Sequence, residues 1–303
     1  MSLKVLLSQR YWHIKYIELL RKCNSDKLDL ELDRERYYLV TRKWLNFAKP
    51  SDLNQKLIWL NWYWHNPLKT QCADKYLVRE YVKDVGLDNI LTPLIGVWSN
   101  AEDIDFESLP DQFVLKCNHG SAFNIICTNK DDLDVEATRK QLNEWLGIDY
   151  SRYYYENHYK GIPRRIVCER FIGDNNSAPT EYQFWCINGE PESILVCRKN
   201  LDHTYDAASY SLNWERLYDR KEEKDDVQFN KPECGISTLI NYARQLTKPF
   251  PFVRADFYVV GSSVYLAELT FTPSTNILTN YKQSFLDRLG SKLTLPPKKR
   301  RKL

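Results

Sequence analysis

What the sequence lacks narrows the field first. No stretch approaches the roughly 18 consecutive apolar residues of a membrane-spanning helix; uncharged runs such as 89–101 are short and broken by Pro93 and Asn100. No C-x-x-C pair occurs among Cys23, Cys72, Cys117, Cys127, Cys168, Cys186, Cys197 and Cys234, several of which sit inside apolar runs. They read as reduced thiols rather than a disulfide or zinc framework. The first ten residues carry one short apolar patch and no small-residue cleavage site, so no secretory signal is expected and the protein is expected in the cytoplasm. Internal repeats are absent, and low complexity is confined to the last few residues. A charge excess of one sign is missing too: the net charge is +3, and the five consecutive cations Lys298, Lys299, Arg300, Arg301 and Lys302 exceed it. A groove tracking a nucleic-acid backbone needs cations spread over a folded face, so no nucleic-acid partner is expected. The tail reads as a disordered basic arm, attracted to an anionic membrane surface or an acidic glycan.

What is present describes a folded chain. Hydrophobic residues at 43% and charged residues at 27% exclude wholesale disorder, and 303 residues suggest two domains at about 100 to 200 residues each. Tyr11, Ile14, Ile17 and Leu20 form an amphipathic pattern, followed by a charged segment read as a solvated connection. Leu53, Leu57, Leu60 and Trp64 predict a helix with Ser51 or Asp52 as its cap, and Tyr76, Leu77, Tyr81 and Val82 a second from about 72 to 84, ending before Gly86. Beyond Trp98 the character changes. Residues 113–117 and 123–128 are short β-type runs around a small-residue loop, and a helix over 135–146 ends at Gly147. The run 165–172 and a hairpin around Asn188-Gly189 follow, then a helix over 236–246 and a last hairpin over 252–271. The resulting division is a mainly helical 1–108, a lobe 109–180, a lobe 181–294 and the tail 295–303.

The last hairpin carries the chemistry. Arg254, Asp256 and Tyr258 share one strand face. If the loop 261–263 closes the pair, Asp256 falls opposite Glu268 and Arg254 opposite Thr270. Two carboxylates facing each other across a ladder repel, which suggests a compensating cation. Oxygen ligands without a nearby His or Cys suit Mg²⁺, which takes one or two carboxylates plus phosphate oxygens. The alternative is a polar face on which Arg254 pairs with Asp256. Lys116, at the end of an apolar strand before the loop with Gly120 and Ser121, can offer a cation and backbone N–H groups to a polyphosphate, or the loop is an ordinary hairpin. With one glycine it matches neither Walker A nor the Rossmann fingerprint. His119 and His158 are candidates for positioning or proton transfer. Arg198 is either a carboxylate or phosphate clamp or a surface ion pair. Asp74, Lys75 and Arg79 face either an acceptor or solvent, the latter being the simpler reading.

The order of these motifs resembles the TupA-like ATP-grasp proteins of bacterial cell-surface polysaccharide biosynthesis. The resemblance runs over roughly residues 50–290, through Leu-Asn-Gln-Lys-Leu-Ile-Trp-Leu at 53–60, Ala-Asp-Lys-Tyr-Leu-Val-Arg-Glu-Tyr-Val at 73–82 and Leu-Pro-Asp-Gln-Phe-Val-Leu-Lys-Cys-Asn-His-Gly-Ser at 109–121. It continues through His158-Tyr159-Lys160, Phe-Val-Arg-Ala-Asp at 252–256 and Ala-Glu-Leu-Thr-Phe-Thr-Pro at 267–273. It implies an α+β ATP-grasp fold, two lobes gripping ATP with a helical N-terminal region. Lys116 would contact the phosphates, and Asn118, His119, Gly120, Ser121, Ala122 and Phe123 would form a lid over them. Glu169 and Phe171 would lie at the adenine-side hinge, with Arg198 also on the nucleotide. Asp256 and Glu268, with Thr270, would hold Mg²⁺, and Arg254, Lys116 and His119 would serve the reaction. Many relatives have a second glycine at Ala122 and an asparagine at Thr270. The implied reaction is ATP-dependent joining of a carboxylate to an amine through an acyl-phosphate, the acid being a uronic acid of a glycan or its precursor. A nucleotide-sugar glycosyltransferase and a silent nucleotide-binding scaffold are the competing readings, and Lys116 with its loop favours triphosphate chemistry.

Overall fold

The computed structural model describes residues 26–173, 179–199 and 205–298, with Trp12, Lys15 and Tyr16. Cys23, the amphipathic pattern at Tyr11, Ile14, Ile17 and Leu20, and tail residues 299–303 lie outside the described residues. In chain order the elements are α1 (Asp26–Thr41), α2 (Leu53–Tyr63), α3 (Pro67–Ala73), α4 (Val78–Asp84), β1 (Leu94–Trp98), β2 (Phe113–Cys117) and β3 (Asn124–Cys127). There follow α5 (Val135–Gly147), α6 (Tyr150–Tyr153), β4 (Ile166–Arg170), β5 (Thr180–Ile187), β6 (Glu190–Lys199), β7 (Tyr205–Tyr210) and β8 (Arg216–Leu217). The chain closes with α7 (Ile236–Thr247), β9 (Phe252–Val260), β10 (Ser263–Thr270) and α8 (Gln283–Lys292). No described helix is long and apolar enough to cross a membrane, and the seven described cysteines are free thiols.

Two antiparallel sheets organise this α+β chain: a four-stranded one ordered β1-β4-β2-β3 and a six-stranded one ordered β10-β9-β5-β6-β7-β8. Strand alternation gives each sheet one dry face and one face for chemistry. In the small sheet Phe113, Leu115, Cys117, Ile166 and Cys168 pack with Leu142 of α5, leaving Val114, Lys116, Val167 and Glu169 on the other side. In the large sheet Phe184, Cys186, Val253, Ala255 and Phe257 bury Leu239, Ala243 and Leu246 of α7. The opposite face carries Trp185, Ile187 and Phe252, covered by α2 and α8 through Leu53, Leu57, Phe285 and Leu289. Beyond that cover the same face continues with Arg254, Asp256 and Tyr258, alongside Gln183 and Glu181.

Three expectations about the N-terminal third change. The charged segment is not a solvated connection but helix α1. Arg34 pairs with Glu31 and Arg36 with Asp33 at i, i+3, while Leu32 and Tyr37 are buried. The fully buried Asp33 also accepts from Trp62 Nε1 at 2.8 Å, tying α1 to α2. The single helix over 72–84 is two, because Asp74 Oδ1 accepts from the N–H groups of Tyr76 (2.8 Å) and Leu77 (3.2 Å), a local bond that competes with helical continuation. Finally, 1–108 is not a separate helical region: β1 pairs with β4 in the small sheet, and α2 roofs the large one. The α2 cap is as expected, Asp52 accepting from Gln55 N–H at 3.0 Å.

Candidate active site

The large sheet brings together the four residues expected from the last hairpin. Glu268 lies opposite Asp256 and Thr270 opposite Arg254, although the loop is shorter than assumed. Ser263 pairs with Val260, so only Gly261 and Ser262 connect the strands, and a bulge at Ala267 then adds the residue that restores the register. Arg254 donates to both Asp256 oxygens, Nε at 2.8 and 3.1 Å and Nη2 at 2.6 Å, with its guanidinium over the Trp185 ring at 5.7 Å. This is the expected alternative pairing, but on a buried face rather than an exposed one: Asp256 is wholly enclosed.

Oxygen atoms converge here beyond what hydrogen bonds satisfy. Thr270 Oγ1 lies 2.9 Å from Asp256 Oδ2 and 2.7 Å from Glu268 Oε1. One hydroxyl proton can serve only one of these contacts, so the other needs a proton on a carboxylate or a shared cation. Burial pushes the Asp256 carboxyl up to about 7, against the pull of Arg254. Among the described residues no three of His, Cys, Asp and Glu gather into a metal cage. The donor set, two carboxylates and a hydroxyl with Glu268 partly exposed, therefore fits a hard cation completed by a ligand's own oxygens.

Strand β2 and the α3–α4 segment supply opposing cations. Lys116 Nζ donates to Glu169 Oε2 at 2.7 Å, and Arg79 Nη1 to Glu169 Oε1 at 3.1 Å. Lys75 donates to the Gly120 carbonyl; burial and then the Lys116 cation depress its ammonium, while Glu268 pulls the other way. Lys75, Arg79, Lys116, Glu169 and Glu268 line one hollow between the sheets. It continues at Lys116 and Leu266 into a cleft of about 280 Å³. One wall of the cleft is Val114, Asn124 and Ile126, the other Glu181, Arg198, Tyr205 and Tyr258, with Phe171 and Ile172 at the closed edge. Phe171 and Arg198 both line this cleft, Arg198 also lying over the Phe229 ring at 5.7 Å. Glu169 is the penultimate residue of β4, just before the chain crosses to the large sheet, and its carboxylate is taken by Lys116 and Arg79. Sequence reasoning placed Lys75 and Arg79 on a solvated helix face. The break at Asp74, which turns them inward, carried no signal stronger than the aspartate itself.

The loop 118–123 is not a free-hanging lid. Asn118 is fully buried; its amide donates to Asp74 Oδ1 and the Pro163 carbonyl, both at 2.9 Å, and accepts from Arg165 N–H at 2.7 Å. Gly120 lies against Tyr150, where a Cβ would approach Cδ2 to 2.6 Å. Phe123 stacks on Trp145 at 5.3 Å. Only Ser121 and Ala122 are exposed, and Ala122 adopts φ 61°. His119 lines neither the hollow nor the cleft: its Nε2 meets the Trp145 carbonyl at 3.1 Å on α5, and burial, with Arg164 and Lys75 nearby, lowers its pKa. His158 is buried in a different pocket, bordered by α2 and α3.

The sequence matches the family described as TupA-like ATPgrasp over residues 55–294. No curated protein matches it. Among solved structures it is similar to D-alanine–D-alanine ligase from Bacillus anthracis, with a TM-score of 0.45 and 16% identity over 76% of this chain and 62% of that one. It is also similar to D-cycloserine synthetase DcsG, with a TM-score of 0.42 and 12% identity over 75% of this chain and 71% of that one. A third is the ATP-grasp ligase PsnB complexed with a precursor variant, Mg and ADP, with a TM-score of 0.40 and 12% identity over 74% of this chain and 58% of that one. The chain spans about three fifths of the length of the D-alanine–D-alanine ligase and PsnB. With the family match running from α2 past α8, across both sheets and the cleft between them, the chain belongs to the TupA-like ATP-grasp family.

Proposed function

We propose that the protein is an ATP- and Mg²⁺-dependent carboxylate–amine ligase. In this reading it activates a uronic acid of a surface polysaccharide, or of its nucleotide-linked precursor, as an acyl-phosphate, and an amino acid or amino sugar displaces phosphate. The observation that carries the reading is that Lys75 and Lys116 share one hollow with Glu268, whose carboxylate converges with the oxygens of Asp256 and Thr270 behind it. That arrangement suits a polyphosphate with its cation. Apolar Val114, Ile126 and Phe171 on the same cleft suit a base.

When bound, Mg²⁺ would be held by Asp256, Glu268 and Thr270 and would neutralise charge on the transferred phosphoryl group. Lys116 and Lys75 would hold phosphate oxygens, exchanging Glu169 and the Gly120 carbonyl for them. Arg254 keeps the Asp256 carboxylate in one orientation. Catalysis in this reading is positioning and charge neutralisation rather than proton transfer by a histidine. Free thiols suit a cytoplasmic setting, and the basic tail suits contact with an anionic surface.

Hydroxylamine tests the proposal as a stand-in amine. With ATP, Mg²⁺ and D-glucuronate or D-galacturonate, the expected outcome is acid-dependent ADP and phosphate release with formation of the hydroxamate. Turnover of a nucleotide sugar with release of its nucleoside diphosphate, and no ATP consumption, would move the protein to the glycosyltransferases.

A further inference from the structure

A second pocket, of about 390 Å³, opens between α2, α3 and the segment at 157–158, apart from the nucleotide cleft. Two features of its wall are unexplained by the fold. Lys69 is 5% exposed, yet among the described residues its ammonium has neither a hydrogen bond nor an ion pair, only the faces of Trp64 and Phe271, each 5.7 Å away. His158 is equally buried, and its Nδ1 has no partner. A buried cation without a counter-ion is costly, so it persists where a ligand supplies the missing charge. Glu156 offsets that charge only in part: it attracts the ammonium from beyond ion-pair distance, accepts from the Thr272 hydroxyl, lies 3.9 Å from His158 Nε2, and burial pushes its carboxyl up to about 7. Burial likewise lowers Lys69 to about 8 and His158 well below the usual imidazole range.

The pocket stands next to the proposed reacting end. Phe271, under the Lys69 ammonium and 5.8 Å from the His158 ring, directly follows Thr270, and Thr272 holds Glu156. An anion seated on Lys69 would thus lie beside the end of β10 that carries Glu268 and Thr270.

We propose that the pocket bordered by Lys69 and His158 is an anion subsite that seats the carboxylate of the acid substrate. The identification of the anion as that carboxylate rests on the ligase reading above. The Lys69 ammonium supplies the charge, with Trp64 as an apolar flank and the buried His158 ring in the wall. Phosphate shares the required charge, and the experiment separates the two.

Calorimetric titration of the full chain with D-glucuronate, and separately with inorganic phosphate, is the test, on wild type, Lys69→Met and His158→Leu. D-Glucuronate is expected to bind wild type without nucleotide and at least about tenfold more weakly to Lys69→Met, equivalent to about 1.4 kcal/mol. Titration with ATP and Mg²⁺ is expected to be unchanged in Lys69→Met. Phosphate binding that depends on Lys69, with none for D-glucuronate, would overturn the carboxylate assignment, as would D-glucuronate binding indifferent to Lys69. Absence of any D-glucuronate binding to a wild type that binds ATP would overturn the subsite while leaving the ligase reading intact. If wild type binds D-glucuronate through Lys69 but never ATP, the anion subsite stands and the ligase reading fails. The ligand-free melting temperature gives a second readout: Lys69→Met is expected to melt higher, since it removes an unpaired buried charge. A lower melting temperature would overturn the premise that the Lys69 ammonium is an uncompensated buried charge.

Discussion

At the scale of single residues, two positions hold conformations or charges that the ligand-free fold does not favour. Ala122 sits at φ 61°, where a Cβ costs about 1 to 2 kcal/mol, against an unfolded-state gain from alanine over glycine of about 0.5 to 1 kcal/mol. Ala122→Gly is therefore expected to leave stability unchanged or raise it by up to about 1 kcal/mol in urea denaturation. A loss would show the αL conformation to be supported by contacts of the methyl group. Lys69 gives a pH signature. Its folded value of about 8 lies below the ordinary 10.5, so between those pH values the unfolded chain holds a proton that the folded chain has released. Stability from this group is then complete above the unfolded value and is lost as pH falls through about 8. The stability advantage of Lys69→Met over wild type should shrink by roughly 3 kcal/mol from pH 7 to 10.5. A difference independent of pH would mean the ammonium is not desolvated.

At the scale of elements, close approach of backbones fixes how the helices seat the large sheet. Gly290 of α8 faces the start of α2, where a Cβ would come within 2.6 Å of Leu53 N and 2.8 Å of Asp52 C. Because neither backbone atom can swing aside, Gly290→Ala is expected to destabilise by about 1 to 3 kcal/mol, read from the denaturation midpoint. Unchanged stability would show that α8 can slide on α2. The hairpin of β9 and β10 was legible because its strands are adjacent in sequence and their alternation is local. Its register came out right although the assumed loop was one residue too long, the bulge at Ala267 making good the difference. Elements resting on distant partners were not legible. Strand β1 finds β4 some seventy residues later, and α1 hides Asp33 under Trp62 and Arg36, which no local pattern announces. The same holds within the site: Asp256, Glu268 and Thr270 could be read from strand alternation and register, and Lys116 from the end of its strand. Glu181, opposite Tyr258 across β5 and β9, and Glu156, bonded to Thr272, needed the tertiary fold. His119 misled because a histidine in a glycine loop looks exposed until α5 closes over it.

At the scale of the whole molecule, the hollow between the two sheets gathers Lys116 and Glu169 from the small sheet, Glu268 from the large one, and Lys75 and Arg79 from the α3–α4 segment. Neither lobe is complete alone, since Lys116 comes from the small sheet and the Asp256, Glu268 and Thr270 oxygens from the large one. The central claim is that this arrangement binds ATP together with Mg²⁺. Thermal unfolding of wild type and Asp256→Asn with ATP, each with and without Mg²⁺, tests it most directly. A ligand at 100 times its dissociation constant stabilises by about 2.7 kcal/mol, which a melting curve resolves. The account predicts that ATP with Mg²⁺ raises the wild-type midpoint and that Asp256→Asn loses the Mg²⁺-dependent part of the rise. An Mg²⁺-dependent rise that survives in Asp256→Asn, or no response of the wild type to ATP, would contradict it.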